Sequence, residues 1–88
     1  MKYNFSILLV EDNPGDAMLM EELLADSKHF NFSITTAETL MHGLELLQTE
    51  DLDIVLLDLG LPDSQGLDGL KAMLDNASHI PIVVITGL

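Results

Sequence analysis

Ile7-Leu8-Leu9-Val10-Glu11-Asp12 and Ile54-Val55-Leu56-Leu57-Asp58 are two four-residue apolar runs that each pass straight into acid. Short, continuously apolar runs bounded by turn residues read as strands buried on both faces, the kind found in parallel sheets. If the two strands are parallel neighbours, their carboxyl ends lie side by side and Glu11, Asp12 and Asp58 converge at one sheet edge. Three carboxylates in one place repel each other unless a cation or a proton sits among them. Hard oxygen donors of this kind suit Mg²⁺, which takes one or two carboxylates and keeps several waters. The two runs therefore predict an acidic divalent-metal pocket at the end of a parallel sheet.

Outward from these runs, strand-like and helix-like segments alternate without a linker or a repeat. The first strand, about Ser6 to Val10, leads into Asn13-Pro14, where Asn is a good N-cap and Pro suits the first helical turn. A helix to about Ser27 follows, with Ala17, Met20 and Leu24 at helical spacing. Phe32, Ile34 and Thr36 alternate as in a half-exposed edge strand. Thr35 with Glu38 matches a capping box for a second helix ending near Gln48, with Ala37, Leu40, Met41, Leu44 and Leu47 on one face. Ile54–Leu57 forms the third strand, and after the loop Gly60–Gly66 a short helix is marked by Leu67, Leu70 and Leu74. Pro81 precedes a fourth strand, Ile82-Val83-Val84-Ile85-Thr86. The order βαβαβαβ implies an α/β fold with a parallel sheet and right-handed crossovers.

Composition narrows the function. The chain has 88 residues, 48% of them hydrophobic, which suits one domain with a real core. Absence of Cys excludes disulfides, thiolate metal sites and a Cys nucleophile. No run reaches the ~20 apolar residues that span a bilayer, and Met1-Lys2-Tyr3-Asn4-Phe5 has no signal-peptide character. The expected setting is the cytoplasm, with no membrane contact. Three Lys, no Arg and 15 acids give a net charge of −12. Such a chain does not neutralise phosphates, so nucleic-acid binding through this segment is not expected, and a basic protein partner is favoured. Asp63 and Asp68 read as solvated loop and helix-start acids. His29, His42 and His79 are scattered and read as ordinary surface or partly buried residues. The five Met read as core or surface filler.

Three blocks of the chain together closely resemble the receiver domain of bacterial two-component response regulators. They are Ile7-Leu8-Leu9-Val10-Glu11-Asp12-Asn13, then Val55-Leu56-Leu57-Asp58-Leu59-Gly60-Leu61-Pro62 with Gly66, then Pro81-Ile82-Val83-Val84-Ile85-Thr86. The resemblance implies a flavodoxin-like sheet of order 2-1-3-4-5, of which this sequence supplies 2-1-3-4. It implies that Asp58 is the phosphoacceptor, receiving a phosphoryl group from a sensor histidine kinase or phosphotransfer protein. It further implies that Asp12 and Asp58 ligate Mg²⁺, or Mn²⁺, with the Gly60 carbonyl, while Glu11 acts through water. Thr86 would contact the phosphoryl group and act as a switch. The implied role is signalling by self-catalysed phosphoryl transfer and hydrolysis, not turnover of a separate substrate.

The sequence departs from the family pattern at one end. The family's phosphoryl-binding Lys follows a fifth strand, and Lys2, Lys28 and Lys71 all fall elsewhere, so residues 1–88 are expected to be a receiver domain incomplete at its C-terminus. Two other readings compete. An aspartate-nucleophile phosphohydrolase needs a second Asp two residues after the first, where Gly60 stands. A receiver-like module that docks a partner without phosphorylation is the other. Finally, order 2-1-3-4 with right-handed crossovers places the first helix on one face and the other two opposite. One apolar face of strands three and four is then bare beside an uncharged edge, which predicts a homodimer, through exchanged elements as one route.

Overall fold

Apolar runs that need cover on both sides, separated by half-polar helices, build one layered α/β unit. The computed structural model describes residues 3–77 and 79–85. Its elements are β1 (Tyr3–Val10), α1 (Pro14–Ala25), β2 (Phe30–Ala37), α2 (Leu40–Thr49), β3 (Ile54–Asp58), α3 (Asp68–Asn76) and β4 (Ile82–Ile85). The strands form a parallel sheet of order β2-β1-β3-β4, as the sequence reading expects.

Strand residues of alternate parity feed two cores. Ile7, Leu9 and Leu56 face Ala17, Met20 and Leu24 of α1. Leu8, Val10, Val55 and Leu57 face the opposite side, where Leu40 and Leu44 of α2 and Met73 of α3 cover them. This division of helices is the one right-handed crossovers dictate. Close packing of α2 depends on Gly43, because a Cβ there would lie 3.0 Å from both Met73 Cε and Val10 Cγ2.

Local details differ from the sequence reading where tertiary pairing overrides local signals. β2 does not stop for a capping box at Thr35: it stays paired with β1 through Val10↔Ala37, and Ala37 is buried. The helix starts later, with Thr39 as N-cap and its side chain accepting from His42 N. Met41 is consequently exposed, not part of the covered face. In α3 the expected Leu67 and Leu74 are exposed while Gly69 and Met73 face the core, because the helix proper begins at Asp68. β1 and β2 also begin earlier, adding Tyr3 and Phe30 to a ladder with Phe5 and Phe32. Neighbouring ring centroids in it are 5.5–6.1 Å apart.

On the α1 side an apolar groove of about 620 Å³ is lined by Phe5, Ile7, Leu24, Phe30, Phe32 and Leu56 among others, so it lies over β1, β2 and β3 and not over β3 and β4, where the bare face is expected. α1 covers more of β3 than expected, since Leu56 is buried, but Val83, its partner on β4, stays exposed on this face, and Val84, the partner of Leu57, is exposed on the opposite one.

Candidate functional site

The acids meet because β1 and β3 are parallel neighbours in register, pairing Ile7↔Ile54 through Val10↔Leu57. One further step along both strands sets Glu11 beside Asp58 at the sheet's carboxyl edge. Glu11 N donates to Ala37 O at 2.9 Å, which extends the β1–β2 ladder by one residue and fixes where the Glu11 side chain leaves the strand. The chain then turns into α1 through Asn13, whose side chain accepts from Asp16 N at 3.0 Å and caps the helix with Pro14 in its first turn.

Carboxylate oxygens of Glu11, Asp12 and Asp58 lie within 4.8 Å of one another. Their environments differ: Glu11 is 4% exposed, Asp58 is half-buried and Asp12 is exposed. Burial, first, and the neighbouring Asp58 carboxyl push the Glu11 pKa up from its ordinary 4.5 to about 7. One compensating contact is the Asn13 N–H, 3.4 Å from Glu11 Oε2. Asp58 Oδ1 accepts from the Gly60 amide at 3.0 Å, which orients the carboxylate. A Cβ at Gly60 would lie 3.6 Å from that same oxygen, an ordinary van der Waals contact, so the backbone here passes close over the carboxylate.

An all-oxygen donor set that is short of countercharge fits a hard divalent cation of the Mg²⁺ class. Asp12 and Asp58 offer the accessible oxygens, and Gly60 lies against Asp58. Thr86, expected at the site, lies outside the described residues, as does Lys2. Lys28 sits in the turn before β2, at the opposite end of the strands from Asp58, and Lys71 is an exposed residue of α3. His29, His42 and His79 are exposed, and none joins the acidic cluster among the described residues.

Asp63 is not the freely solvated acid that its loop position suggests. Its Oδ1 accepts from Leu40 N at 2.7 Å and its Oδ2 from Met41 N at 2.9 Å. These two backbone donors hold its carboxyl below the usual carboxylate range. The bonds span 23 and 22 residues, so no local pattern announces them.

A doubly wound parallel sheet with an acidic trio at its switch point defines the class. The family described as "Response regulator receiver domain" matches residues 7–88, and the chain belongs to that family. The cell cycle transcriptional regulator CtrA of Caulobacter vibrioides is 33% identical over 81 residues, 92% of this chain and 34% of that protein. The chain thus spans about a third of the length of the curated relatives it matches. Among solved structures, the MaeR response regulator bound to beryllium trifluoride superposes with TM-score 0.83 at 28% identity, covering 96% of this chain and 68% of that one. The Mn²⁺-bound form of response regulator Rcp1 gives TM-score 0.80 at 30% identity, covering 93% and 65%. Among the described residues, no helix is long and apolar enough to cross a membrane.

Proposed function

We propose that residues 1–88 form a phosphoacceptor receiver unit in which Asp58 takes a phosphoryl group from a phosphohistidine. The observation that carries this reading is the convergence of Glu11, Asp12 and Asp58 within 4.8 Å at the ends of two neighbouring parallel strands. An Asp58 oxygen attacks phosphorus, an O–P bond forms, the N–P bond to the donor imidazole breaks, and the product is an acyl phosphate. The Gly60 N–H on Asp58 Oδ1 holds the nucleophile in a fixed orientation before attack. Asp12 and Asp58 would ligate Mg²⁺ or Mn²⁺ directly, the Gly60 carbonyl would complete the protein ligands, and Glu11 would act through water. When bound, the metal offsets repulsion between the anionic nucleophile and the anionic phosphoryl group. The Mn²⁺-bound form of response regulator Rcp1, a similar structure, supports a divalent cation as the ligand of this acidic trio.

Thr86 follows β4 in sequence, and its role as phosphoryl contact and switch rests on family resemblance. The partner is a sensor histidine kinase or phosphotransfer protein in the cytoplasm, with no role for nucleic acid or membrane through this segment. The reaction ends in signalling, with self-catalysed transfer and hydrolysis. A second copy of the chain, with or without exchanged elements, is the further partner, seated on the open face beside α1. Acetyl phosphate with Mg²⁺, followed by intact mass, tests the central claim. The expected result is a mass gain of one phosphoryl group, abolished by Asp58→Asn and by omission of the metal, and strongly reduced by Asp12→Asn. A gain that survives Asp58→Asn, or a wild-type chain that takes up no phosphoryl group, overturns the assignment.

A further inference from the structure

The loop between β3 and α3 carries Gly60 and, through the Gly60 amide, touches Asp58 itself. How that loop is held therefore decides how the acidic site is presented. Leu61 is buried in the core among Leu57, Leu40 and Met73. Pro62, with its ring-fixed φ, follows directly. Asp63 comes next, and both of its carboxylate oxygens are bonded to the first two amides of α2. Ser64 then turns back, its N–H approaching Leu61 O at 3.4 Å, and it packs so near Gly69 that a Cβ there would lie 2.9 Å from Ser64 Oγ.

The start of α2 is closed by two different devices. Thr39 serves it locally: its hydroxyl accepts from His42 N at 3.1 Å and its carbonyl from Gly43 N at 3.1 Å. Asp63 serves the remaining two donors from across the fold, and its negative charge also complements the positive helix end. Thr39 belongs to the stretch leading into α2, whereas Asp63 belongs to the loop leading out of the acidic site. A helix cap supplied from that loop ties the loop's position to α2, and α2 is fixed against the sheet through Gly43.

We propose that Asp63 is a positioning residue for the acidic site: its two-pronged clasp on α2 fixes the β3–α3 loop, and so sets Gly60 against Asp58 for metal binding. This rests on the receiver reading above and adds a residue to it that touches neither metal nor phosphoryl group. Groups that hold a metal ligand in place typically contribute 10–100-fold to affinity. Linkage makes the effect reciprocal, so metal binding tightens the clasp by the same factor that the clasp tightens metal binding.

The test compares two ways of uncapping the same helix. Mg²⁺ affinity is measured by titration calorimetry on wild type, Asp63→Ala, Asp63→Asn and Thr39→Ala, with amide hydrogen exchange at Gly60, Leu40 and Met41. Asp63→Ala should weaken Mg²⁺ binding by about 10-fold and speed exchange at Gly60 even without metal. Asp63→Asn, which keeps one acceptor oxygen, should fall between it and wild type. It also carries the comparison if the alanine variant does not fold. Thr39→Ala should loosen the helix start but leave Mg²⁺ affinity and Gly60 exchange unchanged. In wild type, Mg²⁺ should slow exchange at Leu40 and Met41. Equal effects of the Asp63 and Thr39 variants reduce Asp63 to a helix cap and overturn the proposal. Wild-type affinity in the Asp63 variants overturns it as well. A wild-type chain that binds no Mg²⁺ instead removes the metal reading, and Gly60 exchange then still decides the clasp.

Discussion

Glu11 is where burial and charge oppose each other most directly. Its carboxyl is almost fully covered and faces Asp58, and its pKa rises from 4.5 to about 7. A raised folded-state pKa means the folded chain favours the protonated form. That contribution is fully present below pH 4.5 and is lost as pH rises through about 7. The metal-free chain should thus lose stability across this window, whereas a divalent cation, which favours the carboxylate, should bind more tightly across it. Thermal unfolding at pH 5.5 and 8, with and without Mg²⁺, checks both signs. The expected outcome is a Mg²⁺ stabilisation that grows with pH, and Glu11→Gln should flatten the pH dependence of the metal-free midpoint. A Mg²⁺ effect that is equal at both pH values would place the cation away from Glu11. The trio itself was readable from sequence, because each acid ends an apolar run and the resemblance supplied the pairing. Burial of Glu11 was not, since it depends on how β2 and α1 close around the strand end.

Elements were legible to the extent that their causes are local. Strands β1, β3 and β4 need cover on both faces and show this as unbroken apolar runs. The start of α1 is written in Asn13-Pro14, where both cap and first-turn residue are adjacent in sequence. The start of α2 is not, because half of its cap comes from Asp63 and its position is set by the β1–β2 ladder running on to Ala37. α3 lacks a side-chain cap, its N-cap residue being Leu67, so its placement relies on the turn before it. Gly66 in that turn has φ +54°, the left-handed region that favours glycine. Gly66→Ala meets no steric contact but must adopt this φ, which costs about 1–2 kcal/mol. Urea unfolding should show a loss of that size with an unchanged slope, and Gln65→Ala, one residue earlier, should show little. Equal stability of Gly66→Ala and wild type would mean the turn relaxes to another conformation.

At the scale of the whole molecule, one helix serves one face of a four-stranded sheet while two serve the other. The result is the apolar groove of about 620 Å³ beside α1, continuous with the aromatic ladder of β1 and β2. β4, the edge strand beyond β3, has no charged residue and exposes Val83 on the α1 face and Val84 on the other. Open, uncharged edges invite strand pairing, and apolar patches of this kind mark interfaces. Opposing this is a net charge of −12, which makes two copies repel. The two effects respond differently to salt: at 1 M the screening length falls to about 3 Å, while burial of apolar surface is not weakened. The 88-residue chain should therefore self-associate at micromolar concentration, and more strongly as salt rises. Sedimentation at low and high NaCl reads both. Val83→Lys, a charge on the open edge, should shift the chain toward monomer at every salt concentration without loss of helical signal. A well-folded wild-type monomer whose state depends on neither concentration nor salt would show that α1 and the half-buried strand residues cover this face well enough alone.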